Sequence, residues 1–176
     1  YIPFGISDMS SIIKEIRNSK ADAVLISLVG QDAVTFNREF GKFEDHQSIV
    51  RLSCAIEENC LLASGHDNLR EMYTASSYFG SLRTSANDNF RERYHNFHGD
   101  CAPVLNAIGV STYEGVQFLQ ELFKMHPNDW KNKGSQDIHS IKFTSVKASD
   151  EDFHSNIHPM YIAKANGIFF EILDNI

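Results

Sequence analysis

Residues 8–43 read DMSSIIKEIRNSKADAVLISLVGQDAVTFNREFGKF, and this stretch decides the fold. Its middle, residues 22–29, is nearly all apolar and β-branched, without the alternation of a half-wet strand. Such a run is expected of a strand covered on both faces by helices. Before it, Ile12, Ile13 and Ile16 recur at helical spacing while Lys14, Glu15 and Arg17 point to water. Ser7 or Asp8 stands where an N-cap belongs. After it, Gly30-Gln31-Asp32 leads into a second helix over 31–43, with Val34, Phe36, Phe40 and Phe43 mostly inward. Helix, buried strand, tight loop, helix is the pattern of an open parallel sheet, where ligands collect at the carboxyl ends of strands.

Working outward, residues 48–53 and 71–78 read as further strands, with a helix-like segment at 57–62 and a turn at 65–68 between them. A helix over 85–97 has Phe90, Tyr94 and Phe97 as its expected inner face. Residues 99–103 break the chain before the longest helix, 104–125. Its expected apolar band is Ala107, Val110, Val116, Phe118, Leu119 and Leu122. Pro127 stops it, and a polar connection follows. Residues 140–146, 160–165 and 168–173 are strand-like, and Ala165-Asn166-Gly167 is a strong hairpin signal. The fold class that follows is α/β: a three-layer sandwich with a mainly parallel sheet flanked by helices, ending in a C-terminal β-hairpin.

The 176 residues are 42% hydrophobic, which suits a single domain with a substantial core. The formal charge of −7 without a basic stripe excludes nucleic acid and anionic membrane as natural partners. No apolar run approaches the roughly 18 residues that a membrane span needs. The chain opens on Tyr1 without a leader, as a mature or excised segment would. Cys54, Cys60 and Cys101 fit no zinc or redox spacing and read as reduced thiols, with one bridge open if the chain is exported.

Several passages in chain order resemble the amide- and urea-binding branch of the type I periplasmic binding proteins. They are YIPFGISDMSSIIKEIRNSKADAVLISLVGQDAVTFNREF at the start, SIVRLSCAIEE, TASSYFGSLRT, STYEGVQFLQELFK, and SNIHPMYIAKANGIFFEIL at the end. One departure is that residues 143–146 lack the Pro-x-Gly turn usual before the Asn-His stretch. The resemblance implies a two-lobed receptor of which residues 1–176 form one ligand-binding lobe, incomplete relative to the family. It further implies a small-molecule ligand (an amide, urea or amino acid) captured in a cleft, with no cofactor and no catalysis. The implied partner is an ABC transporter permease, which makes the chain a solute-capture protein in the periplasm or outside the cell. The alternatives are a sensor domain feeding a signalling output, a cytoplasmic regulator included, or a degenerate lobe kept for protein contact. Exposed cleft surface in a lone lobe would favour a homodimer.

Three loops carry the candidate ligand-binding residues. At the first strand end, Gly30 permits close backbone approach, and the N–H groups opening the next helix are unsatisfied donors. Gln31 and Asp32 offer acceptors for an amide NH2 there; the plainer alternative gives Asp32 to the helix as its N-cap. At the second strand end stand Ser53, Cys54 and Ala55, with Glu57 either a ligand acceptor or a first-turn charge favoured by the helix dipole. At the third, Tyr78 and Phe79 form an aromatic wall for a small polar ligand, or simply core and hinge packing.

No metal is expected. His154 and His158 lie four apart beside Asp150, Glu151 and Asp152, but Pro159 argues for a loop, where that spacing guarantees nothing. No enzyme is expected either. Neither a nucleophile elbow nor a papain-like context surrounds any Ser or Cys, and Gly41, Gly65 and Gly80 stand singly rather than in a phosphate-cradling loop.

Overall fold

A computed structural model describes residues 2–43, 47–134, 139–143, 145–147 and 159–175. It divides into two compact units: residues 1–81 with 160–176, and residues 82–159. The sequence reading drew a single lobe and did not anticipate this division.

The first unit holds the sheet. Helix α1 (Ser10–Ser19) leads to β1 (Ala23–Ile26), α2 (Gly30–Phe40), β2 (Val50–Ser53), α3 (Glu58–Ser64) and β3 (Met72–Ser76). The hairpin β4 (Tyr161–Asn166) and β5 (Phe169–Asn175) completes it. Strand order is β1-β2-β3-β4-β5. The first three strands pair in parallel, and β4 is antiparallel to both β3 and β5. Every strand except β4 therefore points the same way, so the expected α/β class with a mainly parallel sheet and terminal hairpin holds. Side chains of one sheet face are sealed: Ile26 on β1, Arg51 and Ser53 on β2, Met72 and Thr74 on β3, and Ala163 on β4. The opposite face is open, with Leu25 77% exposed and its register partner Leu52 also exposed. The expectation that residues 22–29 are covered on both faces is corrected here. Among the described residues β1 pairs with β2 alone.

Arg51, the largest fully buried side chain, knits this unit together. Its Nη1 donates to Asn37 Oδ1 and to the Asn68 carbonyl, both at 2.8 Å, and its Nη2 donates to the Arg70 carbonyl. The guanidinium also lies 4.7 Å from the Phe40 ring centroid. Burial pushes its pKa down to about 10, a mark of how much hydration the cation has given up. Asn37 is positioned by its own bond to the Ala33 carbonyl, one helical turn back. Gly41 lets the end of α2 close on the 3-10 turn His66–Leu69, since a Cβ there would meet Asn68 Oδ1 at 2.3 Å.

The second unit is built from α4 (Ser85–His98) and α5 (Ala107–Met125). Thr84 caps α4 by accepting the Asn87 N–H, and Asn106 caps α5 by accepting the Gly109 N–H at 2.8 Å. The inward line of α5 is Val110, Glu114 and Leu122, with Phe118 half-buried, a strict four-residue spacing. Val116 and Leu119 fall off that line and are exposed, as is Phe97 at 82%, so the bands expected from composition are narrower in fact. The expected strand over 140–146 is absent among its described residues. A side chain holds this segment in place of a ladder. Glu114 Oε1 accepts from the Ser145 hydroxyl at 2.6 Å and from the Val146 N–H at 2.8 Å. Its Oε2 lies 3.2 Å from Lys147 Nζ, which donates in turn to Ser111 Oγ. The acidic loop and the histidines at 148–158 lie outside the described residues.

Arg51→Ala removes the donor from three acceptors, of which Asn37 Oδ1 is buried and worth about 1–3 kcal/mol when left unmet. Urea denaturation should show a loss of about 3 kcal/mol or more. Arg51→Lys should recover less than half of it, because one ammonium cannot reproduce the planar fork.

Candidate functional site

Because β1, β2 and β3 run in parallel, their carboxyl ends share one edge of the sheet, and the three candidate loops leave from that edge. At the first, Val29 is extended and precedes α2 without any side-chain cap. Gly30 takes φ +57°, the left-handed region that glycine enters without strain. Gly30 and Gln31 are exposed, and the Gln31 amide reaches only Thr35 Oγ1, at 3.3 Å. Asp32 is buried and does not cap the helix. Its two carboxylate oxygens accept the Gly5 N–H at 3.1 and 3.3 Å, tying the leading segment to α2. At the other end of that segment, Asp8 accepts the Ser10 N–H ahead of α1, near the expected cap.

At the second loop Ser53 is buried and accepts the Ala55 N–H at 3.1 Å, which forms a tight turn. Cys54 is exposed, Ala55 and Glu57 are half-buried, and all three cysteines are free thiols. Glu57 precedes α3 in an extended conformation, its carbonyl accepting the Cys60 N–H. Burial pushes the Cys60 thiol pKa up, which keeps it protonated and unreactive.

At the third loop Tyr78 and Phe79 are each only 1% exposed. The Phe79 ring packs 5.0 Å from that of Phe170, and Ser81 Oγ donates to the Phe170 carbonyl, locking the loop to the hairpin. Thr74 Oγ1 on β3 donates to the Ile56 carbonyl of the second loop, and Glu58 Oε1 at the start of α3 accepts the Gly80 N–H of the third loop at 2.7 Å.

The structure therefore brings the three loops to one edge but divides their side chains. Gly30, Gln31, Cys54, Ala55 and Glu57 retain solvent contact, whereas Asp32, Ser53, Tyr78 and Phe79 are enclosed. Glu58, Thr74 and Gly80 escaped the sequence reading. Of the adjacent pair Glu57 and Glu58, spacing alone does not tell which is enclosed. Among the described residues no group of His, Cys, Asp and Glu is arranged to hold a metal ion, and none of their helices is long and apolar enough to cross a membrane.

The periplasmic binding protein family model matches residues 1–168. The chain belongs to the periplasmic binding protein family. A search of curated proteins gives no match. Among solved structures it resembles a periplasmic binding protein from Burkholderia mallei, with 16% identity and TM-score 0.80 over 99% of this chain and 48% of that one. The isoleucine-bound branched-chain amino acid transporter substrate binding protein LivJ from Streptococcus pneumoniae is similar at 13% identity and TM-score 0.76, covering 99% and 50%. A benzoate-bound ABC transporter solute binding protein from R. palustris is similar at 16% and 0.74, covering 99% and 48%. Identities this low establish the shared fold, and the chain spans about half the length of each of these structures.

Asp32→Ala removes both acceptors of the Gly5 N–H. The expected result is faster amide exchange at Gly5 and a stability loss of about 1–2 kcal/mol, read by hydrogen exchange and urea denaturation. Gln31→Ala, on an exposed side chain, should change neither.

Proposed function

We propose that this chain is a ligand-binding lobe of an ABC transporter solute-binding protein for a small amide, urea or amino acid. The observation that carries the reading is the meeting of three strand-end loops at one sheet edge, where α2 begins without a side-chain cap and Gly30 and Gln31 stand open to solvent. An uncapped helix start presents N–H groups suited to a carbonyl or carboxylate oxygen. Glu57, half-buried at the neighbouring loop, is an acceptor suited to an amide NH2 or an ammonium. Such an edge favours a ligand that offers an oxygen at one end and N–H donors at the other. Family membership and the isoleucine- and benzoate-bound neighbours support a small solute as the ligand, the permease as partner and the periplasm as compartment. Family membership supports binding without chemistry as the reading. The test is a thermal-shift screen against acetamide, urea, short-chain amides, branched amino acids and benzoate. A ligand at about 100 times its Kd adds roughly 2.7 kcal/mol, a rise on the order of 5 °C for this size of chain. A selective rise lost in Gln31→Ala or Glu57→Gln supports the proposal; no rise with any of these solutes sinks it.

A second reading, use of the lobe for protein contact, is favoured by the open face of β1. Leu25 and Leu52 are exposed there. Light scattering should then show concentration-dependent dimers that Leu25→Lys abolishes. A strict monomer at all concentrations rules self-association out.

A further inference from the structure

The hydrogen bond that ties the start of α3 to the third strand-end loop depends on a titratable group. Glu58 opens α3 and is only 5% exposed. Its Oε1 accepts the Gly80 N–H at 2.7 Å, while its Oε2 is buried without any hydrogen-bond partner. A second tie, from Thr74 on β3 to the Ile56 carbonyl, is neutral at every pH. We propose that Glu58 is a proton-controlled staple between the start of α3 and the loop at the carboxyl end of β3, closed when the carboxyl is neutral and loosened when it ionises.

The physical reason is an imbalance of solvation. A carboxylate has two oxygens to satisfy, and the enclosure satisfies one of them. Among the described residues no Lys, Arg or His forms an ion pair with it. The charged group that acts on it is the adjacent Glu57 carboxylate, which opposes ionisation. The elements packed against α3 carry Asp32, Arg38 and Glu39 on α2, His66 and Asp67 on the 3-10 turn, and Glu171 and Asp174 on β5. None of these is ion-paired to Glu58, while the Cys60 thiol on α3 and the Tyr78 phenol of the third loop are buried. Burial raises the Glu58 pKa, and the backbone N–H groups of Gly80 and of Glu58 itself offset only part of that rise. The closed pair therefore binds its proton more tightly than an open, hydrated one. Its extra stability is fully present below the ordinary carboxyl value of about 4.3 and is lost as pH rises through the elevated folded value. Ionisation favours an opening that lets water reach Oε2, and the helix start and the loop then part. This staple does not depend on which ligand the edge takes, so its failure would leave the proposed function standing.

The experiment is a ligand-free 15N–1H titration of the whole chain from pH 3.5 to 8, following the Gly80 amide. The expected result is one sigmoid with its midpoint above the ordinary carboxyl range, persisting in Glu57→Gln and absent in Glu58→Gln. Glu58→Gln keeps an uncharged acceptor, so its Tm should match the wild type in acid and exceed it above the midpoint. A Gly80 amide that is flat with pH in the wild type, or that titrates at or below the ordinary range, overturns the proposal. So does one that titrates unchanged in Glu58→Gln. If that variant does not fold, the wild-type and Glu57→Gln titrations decide alone.

Discussion

A cation sealed from water, with no ion-pair partner among the described residues, sets the terms for the sheet-bearing unit. Arg51 sits at the centre of the parallel strands and gives up its hydration entirely, a cost of several kcal/mol. Three oxygens and one aromatic face repay it, and they belong to parts of the chain that no sheet ladder connects: Asn37 and Phe40 on α2, and the Asn68 and Arg70 carbonyls around the 3-10 turn. The planar guanidinium fork serves them together. If α2 or that turn shifts, a buried donor is orphaned, so the packing of α2 on the sheet is fixed rather than merely favourable.

The same device recurs wherever backbone is irregular. A ladder or a helix satisfies its own peptide groups, and a loop must find partners elsewhere. Glu114 supplies them for residues 145–147, Asp32 for Gly5, and Glu58 for Gly80. In each case a side chain from a helix reaches out to hold a segment with no regular structure. Carboxylates suit this role because one group accepts several N–H bonds at once. The arrangement also explains why the acids at the strand ends are unequal. Asp32 and Glu58 are spent on the scaffold, and Glu57 is the one left partly in solvent.

Membership of the periplasmic binding protein family gives this geometry its context, since ligands in open parallel sheets gather at the carboxyl ends of strands. Structural likeness at 13–16% identity carries the fold and stops there. Neighbours that hold isoleucine and benzoate on a common scaffold illustrate that the ligand is chosen by a few side chains rather than by the sheet.

The sequence by itself determined the alternation of helix and strand, the terminal hairpin and the three loops of interest. Each of these rests on local signals: helical spacing of Ile12, Ile13 and Ile16, the apolar run at 22–29, and Asn166-Gly167. Periodicity reports how apolar an element is and leaves open what covers it. For that reason the second covering layer over Leu25, the inward Phe97 and Val116, and the strand at 140–146 were all misplaced. That Phe79 packs on the hairpin, which of Glu57 and Glu58 is enclosed, and what Asp32 binds depend on residues 22 to 91 positions away in the chain. Only the tertiary structure decided those, because a polar side chain takes its role from the backbone group that lacks a partner nearby, and sequence spacing does not carry that information.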